Sequence, residues 1–388
     1  MEERRIKSGI SGTHLLTSDS RTVIEKNAEI IGSGEIEDYI ADDSIFIDTC
    51  NNEFGRSMFY ARGAENIELL GEENSVINGR GRSWKNAVDF YRRPSLIRMV
   101  DCKNVKIKNI TLIDSACWAI HLHNCENVEI ENVTIISKWC CNNDGIDLDC
   151  CRNVTVKNCR VETEDDAIVL KATKNILSKN IVIENCELKT EGSGFKIGTE
   201  SVGDFENITY RNNLIKRSNG CAIKIVPTDG ASVRGLTVEN VQCEWVTGPI
   251  FIANGERMRT YYDGETRETY GKISDVTIRK VNGIVYARED MPAAQGKGCV
   301  FVSGTRQNPI KQVKIEDCEF QMPGGETAGK EYPVGEMGAQ YPEYYSLGTA
   351  PAYGAYLRNI DGAVYQGVKI SLAKADIRKE VVMENVKI

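Results

Sequence analysis

Between Asn104 and Asn240 apolar and polar residues alternate in one short phrase, Asn-apolar-x-apolar-x-Asn. It reads NVKIKN from Asn104, NVEIEN from Asn127, NVTVKN from Asn153, NIVIEN from Asn180, NITYRN from Asn207 and, more loosely, GLTVEN from Gly235, with starts 23, 26, 27, 27 and 28 residues apart. Alternation with period two describes a strand that buries one face. So short a strand cannot bury that face alone, and a repeat in the twenties predicts coils that stack on their neighbours. The expected fold is all-β: a single-stranded, right-handed parallel β-helix. Leucine-rich repeats share the period, but their Leu-x-x-Leu-x-Leu signature is missing. The recurring Asn are expected to stack and satisfy backbone groups at the turns.

The same reading organises the rest of the chain as one elongated domain over residues 1–388, because a solenoid adds rungs without a new core. Residues 1–60 are expected to be a lead-in that caps the solenoid, with TVIEKNAEI and SIFIDTC as strands. Core rungs occupy 61–322, the first full one being NIELLGEENSVINGRG from Asn66 to Gly81. Residues 323–354, rich in Gly, Pro and Tyr, form a long loop of the kind that serves a site. Closing one end of a groove, that loop would favour exo cleavage. C-terminal rungs fill 355–388.

Composition narrows the function classes. A net charge of −8 argues against a nucleic-acid partner, which needs a basic surface. Of 14 cysteines, Cys159 and Cys186 fall at equivalent repeat positions and are expected to be small core residues in a reducing compartment. The pairs Cys140-Cys141 and Cys150-Cys151 lack zinc spacing. The opening MEERRIKSGISG has no apolar run of signal-peptide length, and no window approaches a membrane span. The expectation is a cytoplasmic protein, secreted only if a leader was removed, with no membrane partner, metal or cofactor.

The candidate chemistry lies on a second set of strands just before each repeat phrase: WAIHLH from Trp118, DGIDLD from Asp144, DAIVLK from Asp166, SGFKIG from Ser193 and a displaced GCAIKI from Gly220. With Ile120, Leu122, Ile146 and Leu148 inward, the residues between them face out. One outer column is expected to hold His121, Asp147, Val169, Lys196 and Ala222. A second holds His123, Asp149, Lys171, Gly198 and Lys224. Asp144, Asp165 and Asp166 sit at the lip. Rungs about 4.8 Å apart force such charges together, so a ligand or counter-charge must use them; a solvated charged face is the alternative.

At these residues the sequence resembles glycoside hydrolase family 28, the polygalacturonase family. The family's Asn-Thr-Asp-Gly stands as Asn142-Asn143-Asp144-Gly145 and its Asp-Asp pair as Asp165-Asp166. Its Gly-His-Gly stands as Gly192-Ser193-Gly194, and its Arg-Ile-Lys as Ala222-Ile223-Lys224. VINGRGRSW, SACWAIH ending at His121, and PAYGAYLRNIDG match as well, so the resemblance runs from about residue 60 to 375. Two departures stand out: Ser193 replaces a His and Ala222 replaces an Arg.

The resemblance implies an inverting glycoside hydrolase acting on pectin-derived oligosaccharides of galacturonate or rhamnogalacturonan type. Asp165 is then the acid, while Asp144 and Asp166 hold and activate water. His121, Asp147, Lys171, Ser193, Lys196 and Lys224 are the implied substrate contacts. Arginine clamps a carboxylate with two hydrogen bonds and lysine only as a point charge, so Lys196 and Lys224 together are expected to replace the lost clamp. A less acidic sugar at that subsite is the alternative. Arg257, Arg259, Tyr261 and Tyr262 either flank sugars or belong to a solvated loop. Two other classes are carried: a calcium-dependent lyase or epimerase, with the Asp cluster as the oxygen ligands, and a non-catalytic carbohydrate-binding β-helix.

Overall fold

The computed structural model of the protein describes residues 1–42, 45–290, 298–327 and 332–388. Short strands follow one another around three faces, and each pairs in parallel with the strand one coil away. The repeat phrases form one face, where Lys103–Lys108, Glu126–Glu131, Arg152–Lys157, Ser178–Glu184 and Phe205–Arg211 align residue for residue. A second face comprises Thr111–Ile113, Thr134–Ser137, Arg160–Thr163 and Glu187–Thr190. The third carries Ser95–Val100, Ile120–His123, Ile146–Asp149, Ile168–Ala172, Ser193–Ser201 and Cys221–Ile225. This is the expected parallel β-helix.

Because the register never slips on the repeat face, inward residues stack into continuous columns. Ile107, Ile130, Val156, Ile183 and Tyr210 follow one another in register, and all five are fully buried. The phenol ring of Tyr210 stacks on Phe195 at 4.5 Å. Cys159 and Cys186 are the core residues expected, both 2% exposed; all fourteen cysteines are free thiols, and Cys50 and Cys141 are exposed.

The repeated asparagines do something more specific than the turn role expected of them. Each side-chain amide donates to the amide oxygen of the coil before, linking Asn66, Asn104, Asn127, Asn153, Asn180 and Asn207 at 2.7–3.1 Å. These six residues all have φ between 54° and 58°, the left-handed region in which asparagine is the best tolerated residue after glycine. One residue type therefore serves both the bend and the ladder.

Two segments depart from the expected organisation. The ladder begins at Glu2–Ile6, paired with Ser20–Ile24, which pairs in turn with Glu65–Gly71, so much of the lead-in is already solenoid. SIFIDTC does not join it: Phe46–Ile47 pairs antiparallel with Glu53–Phe54. That hairpin lies across the third face, where Phe54 stacks on Trp118 at 3.9 Å. Between Met322 and Ala352 the described residues contain no strand, as expected, and 328–331 lie outside the described residues.

The ladder reading predicts that Asn127→Ala lowers stability by about 2–4 kcal/mol, combining left-handed strain with the lost amide bonds. Asn127→Gly should lose less, since glycine accepts that φ. Denaturant midpoints of the two variants check this, and equal losses would assign the whole effect to the amide bonds.

Candidate active site

Catalytic candidates collect where strands of the second face turn onto the third. Gly145 N donates to Asp166 O and Ala167 N to Ser193 O, each at 2.9 Å. Asp144, Asp166 and Ser193 thus occupy one position on three successive coils. The neighbouring turn residue, Asp165, is fastened by its own backbone: its carbonyl accepts Thr163 Oγ1 at 2.6 Å and Thr190 Oγ1 at 2.5 Å. Asn143 Oδ1 accepts the Asp165 N–H at 3.2 Å. A Cβ at Gly192 would lie 2.6 Å from Asp166 N and 3.0 Å from its Oδ1, so only glycine lets the next coil approach the pair this closely.

The two adjacent aspartates differ sharply in surroundings. Asp166 is 4% exposed and accepts Lys196 Nζ and Ser193 N, each at 2.6 Å. Burial alone would raise its pKa, but Lys196 and then Lys224 outweigh it and hold the carboxyl well below the usual range. Asp165 is half-buried, and its pKa is raised by burial and then by the charge of Asp166. Asp144, 3% exposed, is raised further by burial, Asp147 and Asp165. One carboxyl is held down by ammonium groups while its neighbours are pushed up by burial and like charge, the direction of difference that acid/base chemistry uses.

Other candidates fall elsewhere. Lys171 Nζ lies 3.1 Å from Glu200, 3.5 Å from Asp144 and 3.5 Å from Asp147, and 4.1 Å from the centre of the Trp118 ring. It is an internal counter-ion rather than a groove residue. Its partner Glu200 was not legible in the sequence: pairing slips after Leu170–Ile197, so that Ala172 meets Ser201, and the extra length swings Glu200 against Lys171. Ser193 contributes its main-chain N–H. Lys224 was assigned to the second outer column and Ala222 to the first; pairing of Phe195 with Ile223 and Lys196 with Lys224 puts Lys224 in the first column, and Ala222 joins the apolar core.

His121 faces outward as expected, yet it is fully buried and touches no groove. The 46–54 hairpin covers it, with Phe46 and Phe54 rings at 5.8 and 6.1 Å, and Arg98 Nη1 lies 2.5 Å from its Nδ1. Burial and Arg98 push its pKa down to about 3, so it is neutral. Donor atoms of His121, His123 and Asp149 converge within 4.8 Å, but the Arg98 guanidinium supplies the positive charge that a metal would bring. Asp149 already accepts Thr173 N at 2.8 Å and Thr173 Oγ1 at 2.6 Å. Neither earlier reading of the late loop holds for Arg257 and Arg259: they pin chain segments together, Arg257 on Asp229 at 2.6 Å and Arg259 on the Asp48 carbonyl at 2.7 Å.

Asp147, expected as a substrate contact, is a fourth buried acid with no exposed surface. Neither of its oxygens has a hydrogen-bond partner among the described residues, and burial lifts its pKa from 3.8 to about 8 against the pull of Lys171. A raised folded-state pKa means that the stability present below the unfolded value is lost as pH rises through the folded one. Asp147→Asn should therefore match wild type near pH 4 and exceed it by several kcal/mol above pH 8, at about 1.4 kcal/mol for each unit of the rise. Denaturation curves at both pH values check this, and a constant difference would contradict it.

Comparison with known proteins places this geometry. The family model described as glycosyl hydrolases family 28 matches residues 47–330. An endo-polygalacturonase of Pectobacterium carotovorum is 27% identical over 224 residues, 57% of this chain and 51% of that one. An alpha-L-rhamnosidase of Aspergillus niger is 22% identical over 309 residues, covering 73% and 69% respectively. The chain spans 40% to 60% of the length of several such relatives, the Pectobacterium enzyme among them. In fold it is similar to the family 28 exopolygalacturonase of Yersinia enterocolitica, with a TM-score of 0.73, 16% identity, and 99% of this chain and 72% of that chain covered. With the match spanning most of its length and the Asp144, Asp165 and Asp166 cluster inside it, the chain belongs to glycoside hydrolase family 28.

Proposed function

We propose that the protein hydrolyses glycosidic bonds in pectin-derived oligosaccharides, of galacturonate or rhamnogalacturonan type, with inversion at the anomeric carbon. One observation carries the reading: two consecutive aspartates differ in surroundings, Asp166 paired with Lys196 at 2.6 Å and held low, Asp165 half-exposed and pushed up by burial and the charge of Asp166. An inverting enzyme needs this pair, one carboxyl to protonate the leaving oxygen and one carboxylate to activate water on the opposite face.

Asp165 gives its proton to the glycosidic oxygen as the bond to the anomeric carbon breaks. Asp166 takes a proton from a water as that water's oxygen attacks from the far side, with Asp144 beside it as a second hydrogen-bonding group. The products are a hemiacetal of inverted configuration and a free hydroxyl on the leaving sugar. Proton exchange with solvent then returns Asp165 to its acid form and Asp166 to its base form. The substrate class is supported by the relatives' names, polygalacturonase and rhamnosidase. The hairpin over Trp118 and the Tyr341 loop bound the aspartates on two sides, which suits a short oligosaccharide better than a long polymer and favours exo cleavage.

The lyase reading is weaker because ammonium groups already stand where a cation would: Lys196 lies 2.6 Å from Asp166 and Lys171 3.5 Å from Asp144. A calcium ion needs several carboxylate oxygens turned toward one point.

General acid catalysis is worth about 100- to 10,000-fold, so Asp165→Asn should lose that much kcat on substrates with poor leaving groups. The amide is nearly isosteric, and the denaturation midpoint should hold. Hydrolysis at a near-normal rate in this variant would remove Asp165 from the mechanism.

A further inference from the structure

Two residues far along the chain reach the active site from the long loop. Lys196 Nζ donates to Tyr341 Oη at 3.2 Å, and the Glu343 carboxylate pairs with Lys224 Nζ. The loop is anchored there: Tyr344 and Leu347 pack with Cys221 and Phe251 in an apolar cluster outside the solenoid core. Tyr341 is 48% exposed, whereas Lys196 and Lys224 are 4% and 1% exposed. What the loop presents to solvent beside the catalytic aspartates is thus an aromatic ring, with two ammonium groups sealed behind it. Their nitrogens lie 5.7 and 5.6 Å from the ring centre.

We propose that Tyr341 and Glu343 make the subsite beside the catalytic aspartates selective for a neutral sugar ring and closed to a uronate. This rests on the hydrolase reading above. A cation recognises a sugar carboxylate only with charge and donors to spare. Lys196 is committed to Asp166 and Tyr341, and Lys224 to Glu343. Two ammonium groups against two carboxylates leave no net charge, and a uronate would meet Glu343 before it met Lys224. A neutral pyranose finds what it needs. Its apolar C–H face can lie on the half-exposed ring of Tyr341. Its hydroxyls can meet the Glu343 side chain, which is 17% exposed where that of Lys224 is 2%. Glu343 thus reverses the preference that two lysines side by side would otherwise impose.

An oligogalacturonide and its carboxyl-reduced form, identical in linkage but with CH2OH in place of each carboxylate, test this directly. On wild type the reduced form should have the higher kcat/KM by about tenfold. Glu343→Gln should raise kcat/KM for the acidic form about tenfold relative to the reduced form, a gain that shrinks with added salt. Tyr341→Ala should raise KM for the reduced form about tenfold, and Tyr341→Phe, which keeps the ring, should not. Wild-type preference for the acidic form, or an unchanged ratio in Glu343→Gln, would overturn the proposal. Calorimetry with Asp165→Asn separates it from the hydrolase reading. If wild type cleaves neither form yet this variant binds the reduced one tighter, hydrolysis fails and the subsite stands. Tighter binding of the acidic form, or binding of neither, counts against the subsite.

Discussion

Parallel stacking in strict register is the constraint on which the site depends. It sets equivalent residues about 4.8 Å apart on successive coils and brings like charges together: Asp144 beside Asp166, Lys196 beside Lys224. Two unit charges 4 Å apart interact by about 4 kcal/mol at the effective dielectric of a protein surface, too much to leave uncompensated. The fold answers by pairing across columns. Lys196 takes Asp166, Lys171 takes Glu200 with Asp144 and Asp147 near, and Lys224 takes Glu343. The direction in which each aspartate shifts follows from these pairings: Asp166 is held low by Lys196, while burial and neighbouring carboxylates push Asp165 and Asp144 up.

Where local alternation decides the outcome, the sequence was legible. Ile120, Leu122, Ile146 and Leu148 face inward, and the outer columns His121–Asp147 and His123–Asp149 form as the period requires. Legibility failed where register slips or distant segments intervene. The slip between Leu170 and Ala172 created the Lys171–Glu200 pair, and the displaced GCAIKI strand moved Lys224 beside Lys196. Period two reports which way His121 points but not that residues 46–54 cover it. Tyr341 lies 145 residues from Lys196, in a stretch without periodicity, and only its placement beside a rung could have marked it.

The two departures from the family motif leave Asp144, Asp165 and Asp166 in place together. Ser193 supplies a main-chain donor to Asp166, and Ala222 packs in the core. A carbohydrate-binding β-helix without catalysis would have no use for two adjacent aspartates in such different surroundings, Asp166 held low by Lys196 and Asp165 pushed up by burial. The site has been rebuilt around lysines whose charge is spent inside the protein. That fits a change in the sugar recognised more than a loss of chemistry.

The central claim is that water activated by Asp166 attacks opposite the bond protonated by Asp165. Proton nuclear magnetic resonance during the first turnovers reads the anomeric configuration of the newly formed hemiacetal before it mutarotates. Inversion is the predicted result, and a first-formed anomer of retained configuration would contradict the account.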